Sequence, residues 1–297
     1  MRINHHHLRF GESLDPLRLT PDSLHVLHAR GRGIQVDIPT GWVSLWWPLH
    51  GELQLAASGS EWRLPARQMQ VWRDGPLRCS SLGSQAWLAL AAPASLWDDD
   101  ARVHAKDLPP LLPWRGNGGR EAVGLLARLA REGSPGSKRS TGDPATLFAA
   151  LLAVLLDRQH DLQARLPRCN GRTLARRQQT LLRLLRVRHA IECNPHVRLD
   201  LERLAQAANY SPCHLIRVYR SVFDETPSEY AARLREQHAW KMVCGTGLPI
   251  CEITEMLGFE SQSAFCRAFK NTFGQTTSQV RRTFQQADAH APQPVAA

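Results

Sequence analysis

The sequence predicts a two-domain α+β chain: an N-terminal antiparallel β-barrel followed by linker helices, then an all-α C-terminal domain. Three observations carry this reading. Short β-rich runs recur about every ten residues through the first hundred positions. An almost uniformly apolar helical stretch, LFAALLAVLL, follows them. Beyond it, one pattern of two helices and a turn occurs twice, as Asp200–Phe223 and Pro249–Phe273.

The β-rich runs are GWVSLWWPL, GELQLAA, EWRLPA, QMQVW, PLRCSS and AWLALAA, broken by Gly, Ser and Pro. Even spacing of this kind suits a barrel or sandwich. His5-His6-His7 precedes them and reads as a terminal tail. Tryptophan concentrates in this part, at Trp42, Trp46, Trp47, Trp62, Trp72 and Trp87. Trp combines a large apolar surface with one N–H donor, so it serves equally as barrel core or as the wall of a ligand pocket. Trp46 and Trp47 are adjacent in a strand and must face opposite ways. Trp42, Trp46, His50, Trp62, Trp72 and Trp87 are the candidate lining of an effector pocket.

From about 101 to 118 the chain reads as a loop, with Pro109, Pro110 and Pro113 as breakers. A helix fits Arg120 to Arg131, with Gly133 as its stop, and a polar loop runs from Ser134 to Gly142. Asp143-Pro144 then opens the apolar helix, which is too short to span a bilayer. It either packs under the barrel or forms a subunit interface. Leu174 to Cys193 is a further helix, with Pro195 beyond its end. The predicted domains are 1–118, 119–172, 173–285 and a disordered tail, 286–297.

In the first repeat Asp200 N-caps a short helix whose apolar positions are Leu201, Leu204, Ala205 and Ala208. Asn209 tolerates the left-handed backbone of a sharp turn. Ser211 caps the next helix and Pro212 suits its first position. Leu215, Val218, Tyr219 and Val222 fall at helical spacing and face inward. Cys213, Ile216, Arg217 and Arg220 are left outside. The second repeat places Ile250, Ile253 and Leu257 inside, Gly258 at the turn and Ser261 at the cap. Phe265, Ala268, Phe269 and Phe273 then point inward, leaving Gln262, Ser263, Ala264, Cys266, Arg267 and Lys270 outward. A second helix with an outward basic face is how a helix-turn-helix enters the major groove. Thr226-Pro227 opens a connecting helix to about Val243. Its seventeen residues span roughly 25 Å at the usual helical rise, enough to hold two such helices in adjacent major grooves.

Charge agrees with this. Residues 165–285 hold 19 Lys/Arg against 10 Asp/Glu, whereas residues 1–164 hold 18 against 16. A basic half suits phosphate binding with release of counterions. The seven cysteines show no CxxC spacing, which predicts reduced thiols and no structural zinc. No apolar window is long enough for a membrane span and no signal peptide is recognisable, so a cytoplasmic, nucleoid-associated protein is expected.

Residues from about 174 to 284 resemble the DNA-binding domain of AraC/XylS-type bacterial transcription regulators. The resemblance rests on ANYSP…RVYRSVF…TPSEYAARLR and on GFESQSAFCRAFKNTFG. It implies two helix-turn-helix units on a rigid linker helix, gripping tandem major grooves of double-stranded DNA. Carried over, the base-contacting positions are Cys213, Ile216 and Arg217 in the first unit, and Gln262, Ser263, Ala264 and Arg267 in the second. Ser211, His214, Arg220, Ser261 and Lys270 would meet the backbone. Thr277 and Val280 stand where the family usually has Pro and Tyr. By layout, the strand-rich part resembles the family's cupin-like sensor barrel, which implies a small-molecule effector, a homodimer and RNA polymerase as further partners. The cupin metal pattern needs paired His, then Glu, then a distant His. Here His50-Gly51-Glu52 is followed by no His before His104, so neither metal nor any other cofactor is expected.

The expected function is therefore a sequence-specific, effector-responsive transcription regulator without enzymatic activity. Two alternatives stand beside it. One is an enzyme fused to the DNA-binding domain, either a cupin-type catalyst or a DNA-repair methyltransferase, although Cys79 and Cys169 have no recognisable context for the latter. The other is a ligand-free regulator whose barrel only dimerises.

Overall fold

The computed structural model describes residues 1–83, 85–98, 110–132, 143–194 and 199–289, with the side chains of 285–289 excepted. Pro109, His104, Gly133, the loop 134–142, Pro195 and residues beyond 289 lie outside it. The chain forms two compact units that divide between Leu185 and Arg186.

The first unit holds eleven labelled strands: β1 (Arg2–Leu8), β2 (Ser13–Leu14), β3 (Ser23–Gly31), β4 (Gln35–Ile38), β5 (Trp42–His50), β6 (Glu52–Ala57), β7 (Ser60–Pro65), β8 (Gln68–Trp72), β9 (Leu77–Ser80), β10 (Gln85–Pro93) and β11 (Trp114–Asn117). They form a six-stranded sheet in the order β1-β3-β10-β5-β8-β11 and a five-stranded sheet in the order β2-β4-β9-β6-β7. Most neighbours are antiparallel, but β1–β3 and β2–β4 are parallel. The cause is topological. The chain alternates between sheets over its first four strands, so strands two apart run the same way.

Alternation along each strand decides what each face buries. In the larger sheet Leu24, Val26, Val43, Leu45, Met69, Val71, Leu90 and Ala92 share a buried cluster with helices α1 (Gly119–Leu129) and α2 (Pro144–Arg158). The apolar stretch thus packs on the larger sheet. Asp143 caps α2, and Leu147, Phe148, Leu151, Leu152, Leu155 and Leu156 are all buried. Phe148 stands 4.7 Å from the Trp97 ring. Side chains of this size stabilise by about 1.5–3 kcal/mol each when fully buried.

The structure departs from the sequence-based expectation at three places. His5-His6-His7 is no tail: it lies in β1, hydrogen-bonded along β3 with His7 opposite His28. Its alternate side chains find partners on both faces of the sheet. His6 Nε2 lies 2.8 Å from His25 Nδ1 on one face, and His5 Nδ1 lies 3.2 Å from His28 Nε2 on the other. Burial holds His6 and His28 down at about 4, helped by neighbouring histidines, so both are neutral at pH 7. The expected loop 101–118 contains β11, which pairs with β8. The expected tail begins inside a helix, which continues to Ala289. β3 and β4 lie outside the β-rich runs read from the sequence; in β3, SLHVLHARG carries polar histidines where strand periodicity wants apolar residues.

In the second unit α3 (Leu174–Cys193) enters from before the division and is followed by α4 (Leu201–Ala207), α5 (Pro212–Phe223), α6 (Pro227–Gly245), α7 (Ile250–Met256), α8 (Gln262–Phe273) and α9 (Thr277–Ala289). Helix α6 opens on a capping box. Thr226 accepts from the Glu229 amide, and the Glu229 carboxylate accepts from the Thr226 amide. Its N-terminal half buries Tyr230 and Ala231, with Tyr230 6.4 Å from the Tyr219 ring. Its C-terminal half buries Ala239 and Val243 in one cluster with Ile253, Leu257, Phe265, Phe269 and Val280. One helix therefore contributes to the core of both repeats.

Among the described residues, no helix is long and apolar enough to cross a membrane. All seven cysteines are free thiols.

Candidate nucleic-acid interface

Each repeat builds an outward helix from a cap, a left-handed turn and a buried apolar stripe. Asp200 accepts from the Arg203 amide at 3.0 Å to start α4. Asn209 then turns the chain at φ +55°, and Gly258 does so at φ +69° in the second repeat. Helices α5 and α8 end on left-handed residues as well, Asp224 at +65° and Gly274 at +70°. Fifty residues separate these ends, as they separate the caps Ser211 and Ser261. The two helices therefore stop in the same way and face the core with the same spacing.

The caps differ. The Ser261 hydroxyl accepts from the Ala264 amide at 3.2 Å, whereas Ser211 occupies the cap position without a side-chain cap bond. Ser261→Ala is therefore expected to destabilise the second unit by about 1 kcal/mol. Ser211→Ala should change stability by only a few tenths. Urea melts of the two variants check this, and equal losses would contradict it.

The inward stripe of α5 is Leu215, Val218, Tyr219, Val222 and Phe223, all buried. In α8 Phe265 and Phe269 are buried and Phe273 is half-buried, and ring centroids lie 5.8 Å and 4.7 Å apart along the stripe. This leaves the predicted contact residues outside. Cys213, Arg217 and Arg220 are exposed on α5, with Ser211 at its start, while Ile216 and His214 are half-buried. The His214 ring rests 4.9 Å from Tyr210. On α8 Gln262, Ser263, Arg267 and Lys270 are exposed, Ser261 precedes them, and Ala264 is half-buried. Arg267 Nε donates to the Ser263 carbonyl at 3.4 Å, a long bond that leaves the guanidinium end available.

Polar packing behind the first repeat went unread in the sequence. Arg188 lies 4.4 Å from the Tyr230 ring and 5.2 Å from Phe223, and its Nε donates to the Tyr230 hydroxyl at 3.0 Å. The Tyr230 hydroxyl donates in turn to Glu192. Burial opposes the Arg188 charge, but Tyr230, Tyr219 and Glu192 outweigh it and raise its pKa. Arg186 donates to the Ala207 carbonyl at 2.8 Å and so ties α3 to the end of α4. No sequence spacing announces these long-range pairs.

Tyr219 is the opposite case. Its hydroxyl is buried with no hydrogen-bond partner among the described residues, and burial raises its pKa. Removing an unsatisfied buried hydroxyl should leave stability unchanged or improve it by up to about 1 kcal/mol. Thermal unfolding of Tyr219→Phe tests this, and a clear loss would mean that the hydroxyl has a partner in solution.

Thr277 and Val280 are both buried at the start of α9. Thr276 and Gln279 form a reciprocal cap before it: the Thr276 hydroxyl accepts from the Gln279 amide, and the Gln279 side chain accepts from the Thr276 amide. This repeats Thr226 and Glu229 fifty residues on, a signal the sequence did contain.

In the first unit the five tryptophans suggested as pocket residues are buried, and His50 is not. Trp46, Trp72 and Trp87 are at most 2% exposed, and Trp42 and Trp62 are buried. Trp46 and Trp87 rings lie 5.4 Å apart, and Trp62 and Trp72 rings 5.2 Å apart. Trp46 Nε1 donates to Ser44 and Trp87 Nε1 to Ser81, both at 2.8 Å. His50 is exposed at the end of β5, and the half-buried Trp47 faces the helices. A pocket of about 550 Å³ is lined by Pro16, Asp37, Pro39, Ser58, Glu61 and Arg78 among others, and by none of these tryptophans.

A family described as a helix-turn-helix domain matches residues 204–283. The transcriptional activator AarP of Providencia stuartii is 35% identical over 91 residues, covering 31% of this chain and 67% of AarP. The MmsAB operon regulatory protein of Pseudomonas aeruginosa is 26% identical over 96 residues, covering 32% of this chain and 31% of that protein. A crystal structure of a transcriptional regulator from Chromobacterium violaceum, titled as having an AraC-type DNA-binding domain, aligns with 25% identity and a TM-score of 0.33. That alignment covers 35% of this chain and 93% of the other.

Proposed function

The chain belongs to the AraC-type family of helix-turn-helix transcription regulators, and from that premise we propose that it binds two adjacent major-groove segments of an operator through α5 and α8. The observation that carries this is the pair of outward helix faces, each presenting an exposed arginine (Arg217, Arg267) and a basic residue three positions on (Arg220, Lys270). Residues 173–285 are the part that carries the DNA. Arg217 and Arg267 read base edges, with Gln262, Ser263, Ala264, Cys213 and Ile216 beside them. Arg220, Lys270, His214 and the helix starts at Ser211 and Ser261 hold the backbone. The first helix offers fewer hydrogen-bonding side chains than the second, so the second reads more of the sequence.

Regulation by a small effector, a homodimer, contact with RNA polymerase and a cytoplasmic, nucleoid-bound location are parts of the same proposal. An effector shifts the regulator only if it binds one of its arrangements more tightly than another. The tryptophan-filled sheet interior favours the second reading, in which the barrel is a structural and assembly module. An enzymatic role finds less support. Burial pushes the Cys169 thiol up to about 11 and raises Cys79 well above its ordinary value, so neither is a ready thiolate.

The test is selection of bound fragments from sheared genomic DNA by the purified protein. Enrichment of one bipartite sequence is expected. Recovery of fragments without a shared sequence would contradict sequence-specific reading.

A further inference from the structure

The histidines of β1 and β3 gather into a cluster of potential metal ligands. His5 and His7 stand two apart on an edge strand and therefore project to the same face. The parallel register sets His28 opposite His7. One ligating atom from each of His5, His7 and His28 lies within 4.8 Å of the others.

We infer that His5, His7 and His28 form a three-histidine site for a divalent transition-metal ion of the zinc type, clamping the edge strand β1 to β3. Two imidazole nitrogens on one tetrahedral zinc, with bonds of about 2.0–2.1 Å, stand roughly 3.3–3.4 Å apart. His5 Nδ1 and His28 Nε2 are already 3.2 Å apart. His7 is exposed, so its ring is free to turn and close the remaining gap. It also leaves the fourth coordination position facing solvent. Imidazole donors without thiolate or carboxylate suit Zn²⁺, Cu²⁺, Ni²⁺ or Co²⁺ rather than Mg²⁺ or Ca²⁺.

His6 supplies an internal control. It sits between His5 and His7 in sequence but faces the other side of the sheet, 2.8 Å from His25. A metal held by an unstructured histidine run would use His6 as readily as its neighbours; the folded site would not.

The experiment is Co²⁺ and Zn²⁺ titration of the full chain, with thermal unfolding recorded with and without metal. One metal per chain is expected, with cobalt d–d absorption, no thiolate charge-transfer band and a raised Tm. His28→Gln and His7→Gln should each weaken binding roughly tenfold or more, whereas His6→Gln should leave it unchanged. His7 is exposed, so its variant stays informative even if His28→Gln fails to fold. Absence of binding, a thiolate band, or equal weakening by His6→Gln would each overturn the site.

Discussion

Arg267→Ala is expected to cost about 1–3 kcal/mol of binding free energy on the preferred site and to relax preference at one base pair. The geometry behind this is specific. Phe265 and Phe269 are anchored in the core, so the side chain between them on the helix is held outward. A guanidinium presented this way makes two parallel hydrogen bonds to a guanine edge, and alanine makes none. Lys270→Ala provides the contrast. A point charge on phosphate contributes alike on every sequence, so its loss should weaken all binding and lower the salt slope by about one. Anisotropy titrations on the selected site and on single-base variants separate the two. If Arg267→Ala lost the same affinity on every sequence, the base-reading role would pass to another residue.

Trp46→Ala should destabilise the first unit by about 3–5 kcal/mol, the usual range for deleting a large aromatic from a packed core. Trp46 is fully buried, packs against Trp87 and donates its N–H to Ser44. Truncation would leave a cavity between two sheets and orphan the serine. Denaturant unfolding checks this directly. A loss under about 1 kcal/mol would mean that the site has slack, as the wall of a ligand pocket has. The same measurement therefore weighs a sensing barrel against a purely structural one.

The helical unit was readable because its signals are local. Caps, left-handed turn residues and apolar spacing all sit within one or two helical turns of each other, and the fifty-residue repeat states them twice. Asp200, Asn209, Ser261 and Gly258 occupy the positions their chemistry predicts. The β unit was less readable where polar residues line a strand. His25 is fully buried and His6 half-buried because they satisfy one another across β1 and β3, a pairing over nineteen residues that no local pattern encodes. The same holds for Arg188 and Tyr230, forty-two residues apart. The tryptophans were visible at once. Which face they took depended on sheet register, which placed Trp46 inside and Trp47 toward the helices.

The most direct test of the bipartite reading is a hydroxyl-radical footprint of the full protein on the best genomic fragment. Two protected boxes on one face of the duplex, about 10–10.5 base pairs centre to centre, are predicted. A single protected box, or protection spread evenly along the fragment, would contradict engagement of both α5 and α8.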